Sequence, residues 1–568
     1  MQKFLIVQLT RMGDTLQTTP LLAGLKEKYP DCYICLYIIP GMARVLEGNE
    51  HVDEMIYLEP QAVLDELLLD DSASLLRCYD RLKRDIETFR ARRFDTIINL
   101  SHSRFSALLL RLVPCEDVRG LTLTDDWLRV IRGRWPNYFI NSVFNRAYSQ
   151  FNMVDVYRKF GDDLPPHTRL DLHVDDESRR YARDLLEQNG VRDGDFIVCL
   201  QPGASDEDKR WPAEGFAELA DILTHEFDAR VVLLGTEEER PIGTRIMELM
   251  AETPIDTFGK SNIPQLAAIL DRADFLVTND TGVMHVAACT GTTIIDLSFS
   301  NVYFRETGPY GDRHFVIQSR IDCTPCRMTY ECHDRKCKDY ITARDIARLI
   351  KLARDRRNGE IEQIEDAPEL DRVNYFVSRF TDDGLIEYVP LIRRPVAVED
   401  LLGIAYRSVW TDFLDGRGGE KDAEQEFTRL LGYYSAREGI VEQLGSAAGA
   451  FDELASIAAT GAEKAQNLIT ALSRPNVQYA SLRPLVAELS HVDDRIKVAG
   501  RTHDVARPFA SLFTFEKENL EGDDVRTLAG STLRLYTDMV ERCRLMHRTL
   551  GTLSHLLNAG ETSHRAAD

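Results

Sequence analysis

Long apolar runs are missing from this chain of 568 residues. A membrane-spanning helix needs about 20 consecutive apolar residues, and no stretch supplies them. The opening Met1-Gln2-Lys3-Phe4-Leu5-Ile6-Val7 is too short and too soon interrupted for a secretory signal, so a cytoplasmic protein is expected. Positive charge is also scarce: the formal net charge is −23. That excludes a broad nucleic-acid surface, which requires local positive charge. No Gly-x-Gly-x-x-Gly follows either of the strands that open its two α/β halves, which argues against a nicotinamide or flavin dehydrogenase. Internal repeats and low-complexity tracts are absent. Eleven cysteines without a secretory signal point to reduced thiols.

What is present is globular. Hydrophobic residues make up 44% and charged residues 28%. The length implies two to four domains. Residues 3–9 read as a buried strand, Arg11 to Thr15 as a turn, and Leu16 to Tyr29 as a helix ending before Pro30. Strands follow at Cys32–Ile39 and Phe94–Leu100. Past Pro165-Pro166 and a polar helix over 176–189, a second unit opens with the strand Phe196–Leu200. It continues through strands at 230–235, 275–278 and 293–297. Alternating strands and helices imply two doubly wound parallel sheets. Ligands of such sheets lie beyond the carboxyl ends of the strands.

The expected domains are 1–165, 166–354, a charged connector at 355–371, and a mostly helical module at 372–568. In that module Leu485, Leu489, Val492 and Ile496 form one apolar seam. Tyr536, Met539, Cys543, Met546, Leu550, Leu553 and Leu557 form another. These seams suit an antiparallel bundle core; the sharper alternative is an oligomer or partner surface.

The most telling segment is Asn279-Asp280-Thr281-Gly282-Val283-Met284-His285 after the strand Phe275–Thr278. A helix that starts at Thr281-Gly282 presents unpaired N–H groups, which attract phosphate. His285, one turn in, shares that face. Arg11-Met12-Gly13-Asp14-Thr15 ends the first strand, where Asp14 suits either a general base or a helix cap. In Gln201-Pro202-Gly203-Ala204-Ser205-Asp206-Glu207-Asp208-Lys209-Arg210-Trp211-Pro212, Lys209 offers a point charge for a diphosphate or is simply solvated. The Gly-Lys-Ser/Thr ending of a Walker loop is missing there. Glu237-Glu238-Glu239 after Leu234-Gly235 suits ribose hydroxyls or a helix dipole.

Taken in order, these motifs resemble glycosyltransferase family 9, the heptosyltransferases. The matching residues are Met12-Gly13-Asp14-Thr15-Leu16 with Thr19-Pro20-Leu21, then Gly203-Ala204-Ser205 with Lys209-Arg210-Trp211-Pro212. Leu234-Gly235 with Glu237-Glu238, Asn279 to His285, and Gly308-Pro309-Tyr310-Gly311 complete the set. The resemblance spans about the first 350 residues. It implies a GT-B fold, two Rossmann-like domains with the acceptor on the first and the nucleotide-sugar donor on the second, followed here by the helical domain. It also implies an inverting, metal-independent transfer, with ADP-heptose as the favoured donor and the lipopolysaccharide core as acceptor. Asp14 is then the base and Lys209 the partner of the leaving diphosphate. Gly13, Ala204, Ser205, Glu238, Ser261, Asp280, Thr281, Gly282 and His285 form the donor site. The acceptor, which can be lipid-linked, places the enzyme at the cytoplasmic face of the inner membrane as a peripheral protein.

Two features depart from the family pattern, the stretch at 60–92 and the helical module, whereas cysteines near 323–337 are common in the family. A charged, partly helical stretch occupies 60–92. Arg104, Arg132 and Arg134 suit an anionic acceptor or a solvated basic face. The helical module is additional, which keeps two alternatives open: another nucleotide-sugar used on a protein or exopolysaccharide, and a weakly active scaffold with a bound partner. Finally, Cys323, Cys326, Cys332 and Cys337, with His333 as a spare ligand, fit either a structural Zn or Fe site or reduced thiols. No cofactor is expected for catalysis.

Overall fold

The computed structural model describes residues 1–69, 71–326, 332–355, 363–365, 368–416, 423–475 and 477–565. Most of the connector expected at 355–371 therefore lies outside the described residues. The chain has the expected α/β class with a helical continuation, and it divides into two compact units. One is Met1–Asp85 with Phe151–Arg393; the other is Ile86–Gln150 with Arg394–Asp568.

The first unit opens with Lys3–Gln8, whose last five residues are buried. It pairs in parallel with Tyr33–Ile38, which pairs in parallel with Glu54–Tyr57. The helix predicted from Leu16 to Tyr29 is instead two pieces, Met12–Leu16 and Thr19–Lys28. Pro20 explains the break. It has no N–H to continue the earlier helix, and its fixed φ suits the first turn of the later one.

A larger sheet of eight strands lies wholly in this unit. Six strands are parallel, in the order Phe315–Ser319, Thr293–Ser298, Phe275–Asn279, Phe196–Gln201, Ala229–Leu233 and Ile255–Asp256. The chain runs outward in one direction from Phe196–Gln201 and in the other from Phe275–Asn279. The crevice at their carboxyl ends is therefore the topological switch point, where such sheets bind ligands. The strands Val373–Phe380 and Ile386–Pro390 extend this sheet antiparallel to Phe315–Ser319. The helical module was expected to open at 372, but its first helix starts at Val398. The signal is a short alternation, with Val373, Tyr375 and Val377 buried, too brief to stand out by period alone.

The second unit holds Thr96–Asn99 and Asp117–Leu123 in parallel, with Arg129–Arg132 antiparallel to the latter. The helix Arg134–Phe144 follows. Two long helices, Ile440–Leu472 and Val525–Arg565, pack along each other. The predicted seam is their core: Tyr536, Met539, Cys543, Met546, Leu550 and Leu553 are all buried. These helices do not form a separate layer. Trp135 donates to Asp415 (3.0 Å), Asn141 to the Pro508 carbonyl (3.0 Å), and Tyr138 meets Trp410 edge-on at 5.5 Å. Residues 86–150 and the C-terminal helices thus share one core.

Candidate functional site

The switch-point crevice is organised by Asn279, the last residue of Phe275–Asn279 and fully buried. Its amide nitrogen donates to the Pro202 and Gly203 carbonyls, both at 3.0 Å. Its carbonyl oxygen accepts from the Trp211 N–H at 3.0 Å. One side chain therefore holds both ends of the loop that carries Lys209. Each such bond contributes about 0.5–1.5 kcal/mol, and more is lost when a buried partner is orphaned. Arg210 tightens the loop by donating to the Ala204 carbonyl.

Lys209 is brought to Asp280. Its Nζ lies 2.9 Å from Asp280 Oδ2, with the two side chains 19% and 14% exposed. Thr281 is the N-cap of the short helix Gly282–Ala287. His285 is buried, and its Nδ1 has no hydrogen-bond partner among the described residues. Burial pushes the His285 imidazole below its ordinary pKa, while the charges of Asp280 and Asp14 oppose that shift. His285 is thus held towards its neutral form beside two carboxylates.

Asp14 sits one turn past the first strand. Its Oδ2 accepts from the Arg11 N–H at 3.2 Å, closing a cap on Met12–Leu16. The cap occupies Oδ2 alone; among the described residues no hydrogen bond to Asp14 Oδ1 is found. Gly13 lies directly against His285: a Cβ at Gly13 would stand 2.7 Å from His285 Cδ2. The turn after the first strand and the helix Gly282–Ala287 are therefore in contact, and Asp14 is brought to the same site as Lys209, Asp280 and His285. Tyr157, buried, also feels the Asp14 charge.

The other predicted residues are spread around this centre. Ala204 is buried, Ser205 is exposed, and Ser261 is half-buried just before the helix Ile263–Asp271. Glu238 is exposed. Glu237 is engaged by Arg240 through two bonds of 2.7 Å. Glu239 turns towards Gly203, where any Cβ would overlap its carboxylate. Arg132 and Arg134 are also engaged. Arg132 makes a two-pronged pair with Glu521 (2.9 and 2.6 Å), and Arg134 donates to the Phe413 carbonyl. Arg104 remains exposed.

Two features escaped the sequence reading. Asp296, on Thr293–Ser298, is fully buried with neither carboxyl oxygen partnered among the described residues. Burial, with the Asp280 charge adding to it and Lys209 opposing, holds this carboxyl well above the usual carboxylate range. Its alternation with buried Ile295 and Leu297 gave no hint of function. The second is a brace on the Lys209 loop: Arg335 reaches Glu207 (2.9 Å) and Asp208 (2.7 Å), and Lys338 donates to the Glu207 carbonyl (2.7 Å).

That brace comes from the cysteine segment. The four thiols lie within each other's electrostatic reach, and burial with these neighbours pushes Cys326 up to about 11. All are free. The Zn or Fe ligand set is not assembled: among the described residues no group of three or more His, Cys, Asp or Glu side chains could hold a metal ion. Cys323 is exposed, Cys326 and Cys337 turn inward, Cys332 accepts from the Arg335 N–H, and His333 is exposed.

The sequence model of glycosyltransferase family 9 (heptosyltransferase) matches residues 82–336. Lipopolysaccharide heptosyltransferase 3 of Escherichia coli is 24% identical over 297 residues, covering 50% of this chain and 79% of that protein. A lipopolysaccharide core heptosyltransferase of Haemophilus influenzae is 32% identical over 231 residues, covering 40% and 62%. Among solved structures, a family 9 glycosyltransferase of Veillonella parvula superposes with a TM-score of 0.49 at 22% identity, covering 62% of this chain and 96% of its own. With the ordered motifs, the match over 82–336 marks the chain as a glycosyltransferase similar to family 9, extended at its carboxyl end by a helical region.

Proposed function

We propose that the enzyme transfers a heptose from ADP-heptose to a lipopolysaccharide-core acceptor, with inversion and without a metal. The supporting observation is the arrangement of Asp14: one oxygen is fixed by the Arg11 N–H, and the other, with no hydrogen bond among the described residues, lies beside the site of Lys209, Asp280 and His285. The acceptor hydroxyl attacks the anomeric carbon. The bond from that carbon to the diphosphate oxygen breaks, and its electron pair leaves with ADP. The hydroxyl proton passes to Asp14, which requires a base on the face opposite the leaving group, as in inverting glycosidases.

Lys209 offsets the charge growing on the diphosphate, with Ser205 and the N–H groups at Thr281-Gly282 assisting. Before the donor binds, Asp280 holds the ammonium in place. Neutral His285 meets the donor sugar or diphosphate as a hydrogen-bonding group rather than a charge. Glu238 contacts the ribose. The names of the relatives, all heptosyltransferases acting on lipopolysaccharide or lipooligosaccharide, support this choice of donor and acceptor.

Two substitutions separate the base from the cap. Asp14→Asn keeps an oxygen for the Arg11 N–H, so stability should change by less than about 0.5 kcal/mol while transfer falls by about 10²–10⁴. Asp14→Ala should lose the same activity and also about 1 kcal/mol of stability. Transfer by Asp14→Asn above about a tenth of the native rate would remove Asp14 from the role of base.

A further inference from the structure

Asp296 is a carboxyl set in a row of apolar side chains. Ile294, Ile295 and Leu297 around it are fully buried, as it is, and neither of its oxygens has a partner among the described residues. Buried polar groups are nearly always hydrogen-bonded, and one left alone lowers stability. An apolar side chain would serve the strand better, and a local rule broken in this way points to a functional position.

The neighbours of Asp296 show what it can reach. It is in register with Thr278 on one side and Val316 on the other, so the three share one face of the sheet. Val316 is apolar. The Thr278 hydroxyl is already engaged, 3.1 Å from the Gln201 amide group and donating to the Asn279 carbonyl at 2.8 Å. The Tyr388 hydroxyl, within electrostatic reach of Asp296, accepts from Asn152 and donates to the Pro309 carbonyl, both at 3.1 Å. What is left is the ion pair of the donor site: the charges of Asp280 and Lys209 both reach Asp296. The Lys209 ammonium is the one hydrogen-bond donor to the Asp280 side chain among the described residues.

These two carboxyls have complementary needs. A carboxyl without a partner in an apolar interior favours its neutral form, which carries one O–H donor. Asp280, 14% exposed, relies on Lys209. Under the function proposed above, on which this inference rests, Lys209 turns to the leaving diphosphate, and Asp280 loses its counter-ion. A carboxylate so enclosed then requires another donor.

We propose that Asp296 is a positioning residue for Lys209: as the ammonium passes from Asp280 to the donor diphosphate, the Asp296 carboxylic acid donates its O–H to Asp280 in the ammonium's place. The proton stays on Asp296, and no covalent bond changes. The hydrogen bond of an acid to a carboxylate is among the strong ones, so it compensates Asp280 and releases Lys209 to the ligand. Without donor the O–H is unused. The residue therefore lowers the stability of the free enzyme and strengthens donor binding.

The test is calorimetric titration of the full chain with ADP, together with urea denaturation of each variant. Asp296→Leu keeps the size and has no O–H. It should bind ADP at least about tenfold more weakly than the native chain, yet unfold at higher urea. Asp296→Asn, whose amide N–H can donate to Asp280, should bind more nearly as the native chain does than as Asp296→Leu does. In an Asp280→Asn background, which has no carboxylate to satisfy, the loss caused by Asp296→Leu should shrink below about twofold. The proposal is overturned if that loss in the native background is less than about tenfold, or if Asp296→Leu is less stable than the native chain, which would make the carboxyl structural. It is also overturned if Asp296→Asn binds as weakly as Asp296→Leu, or if the loss persists beside Asp280→Asn. If the native chain binds neither ADP nor ADP-heptose, the proposed function falls as well. If it transfers heptose while Asp296→Leu binds ADP normally, only the role of Asp296 falls.

Discussion

Gly13→Ala tests whether the turn after the first strand and the helix of His285 act as one site. The added methyl would lie 2.7 Å from His285 Cδ2 and 3.3 Å from Nε2. Carbon atoms rest at about 3.5–4.0 Å, so relief needs a shift of roughly 1 Å. His285 cannot give way easily, since it is buried on a helix whose neighbours Met284, Val286 and Ala287 are fully buried. Overpacking of this kind costs about 1–3 kcal/mol. A displacement of about 1 Å between reacting groups also reduces transfer by about 10². The assay is kcat/KM for transfer, paired with urea denaturation. His285→Ala in the Gly13→Ala background removes the clash, so the two changes should be non-additive by at least about 1 kcal/mol in stability. Full activity in Gly13→Ala, or additivity within about 0.5 kcal/mol, would refute the contact.

Lys209→Met should lower kcat at saturating donor by about 10²–10³; a fall below about fivefold would mean that this charge does not act on the leaving group. Arg542 is 1% exposed, pairs with Glu516 at 2.8 Å and stacks 3.9 Å over Phe413. Arg542→Met should therefore cost about 3–5 kcal/mol in denaturation, and adding Glu516→Leu should recover most of it. Burial lowers His314 to about 4. The unfolded chain thus binds a proton near pH 6.5 that the folded chain refuses until about pH 4. Stability should fall as pH drops through that window, by about 1.4 kcal/mol per unit. His314→Asn, which can still accept from the Ile294 N–H, should remove about one proton from that slope.

Local chemistry was readable in advance. Asp280-Thr281-Gly282 declares a strand-to-helix turn within a few residues, and Asp14 and Lys209 occupy turns of the same kind. What joins them is not local. Asn279 looks like part of the phosphate turn, yet its side chain serves the Lys209 loop 76 residues away, a contact set by the strand order at the switch point. Arg335 gives no sign in sequence that it reaches Glu207. Asp296 sits in an apolar strand pattern that announces only burial. The C-terminal seams were legible because helical period repeats over many residues. The partner of those helices, the segment 86–150, was not, because packing between elements hundreds of residues apart leaves no periodic trace.

The pair Arg132–Glu521 spans 389 residues of sequence. On a ribosome adding about 5–20 residues each second, Arg132 waits about 20–80 s before Glu521 exists. Through that interval Trp135, Tyr138 and Asn141 have been synthesised but lack the helices that cover them. The segment around them must stay unfinished, guarded from other chains, until almost the whole protein has been made. Its folding is governed by long-range closure rather than by strands emerging in order, and heat or a scarcity of chaperones during synthesis should harm its yield more than its finished stability would suggest.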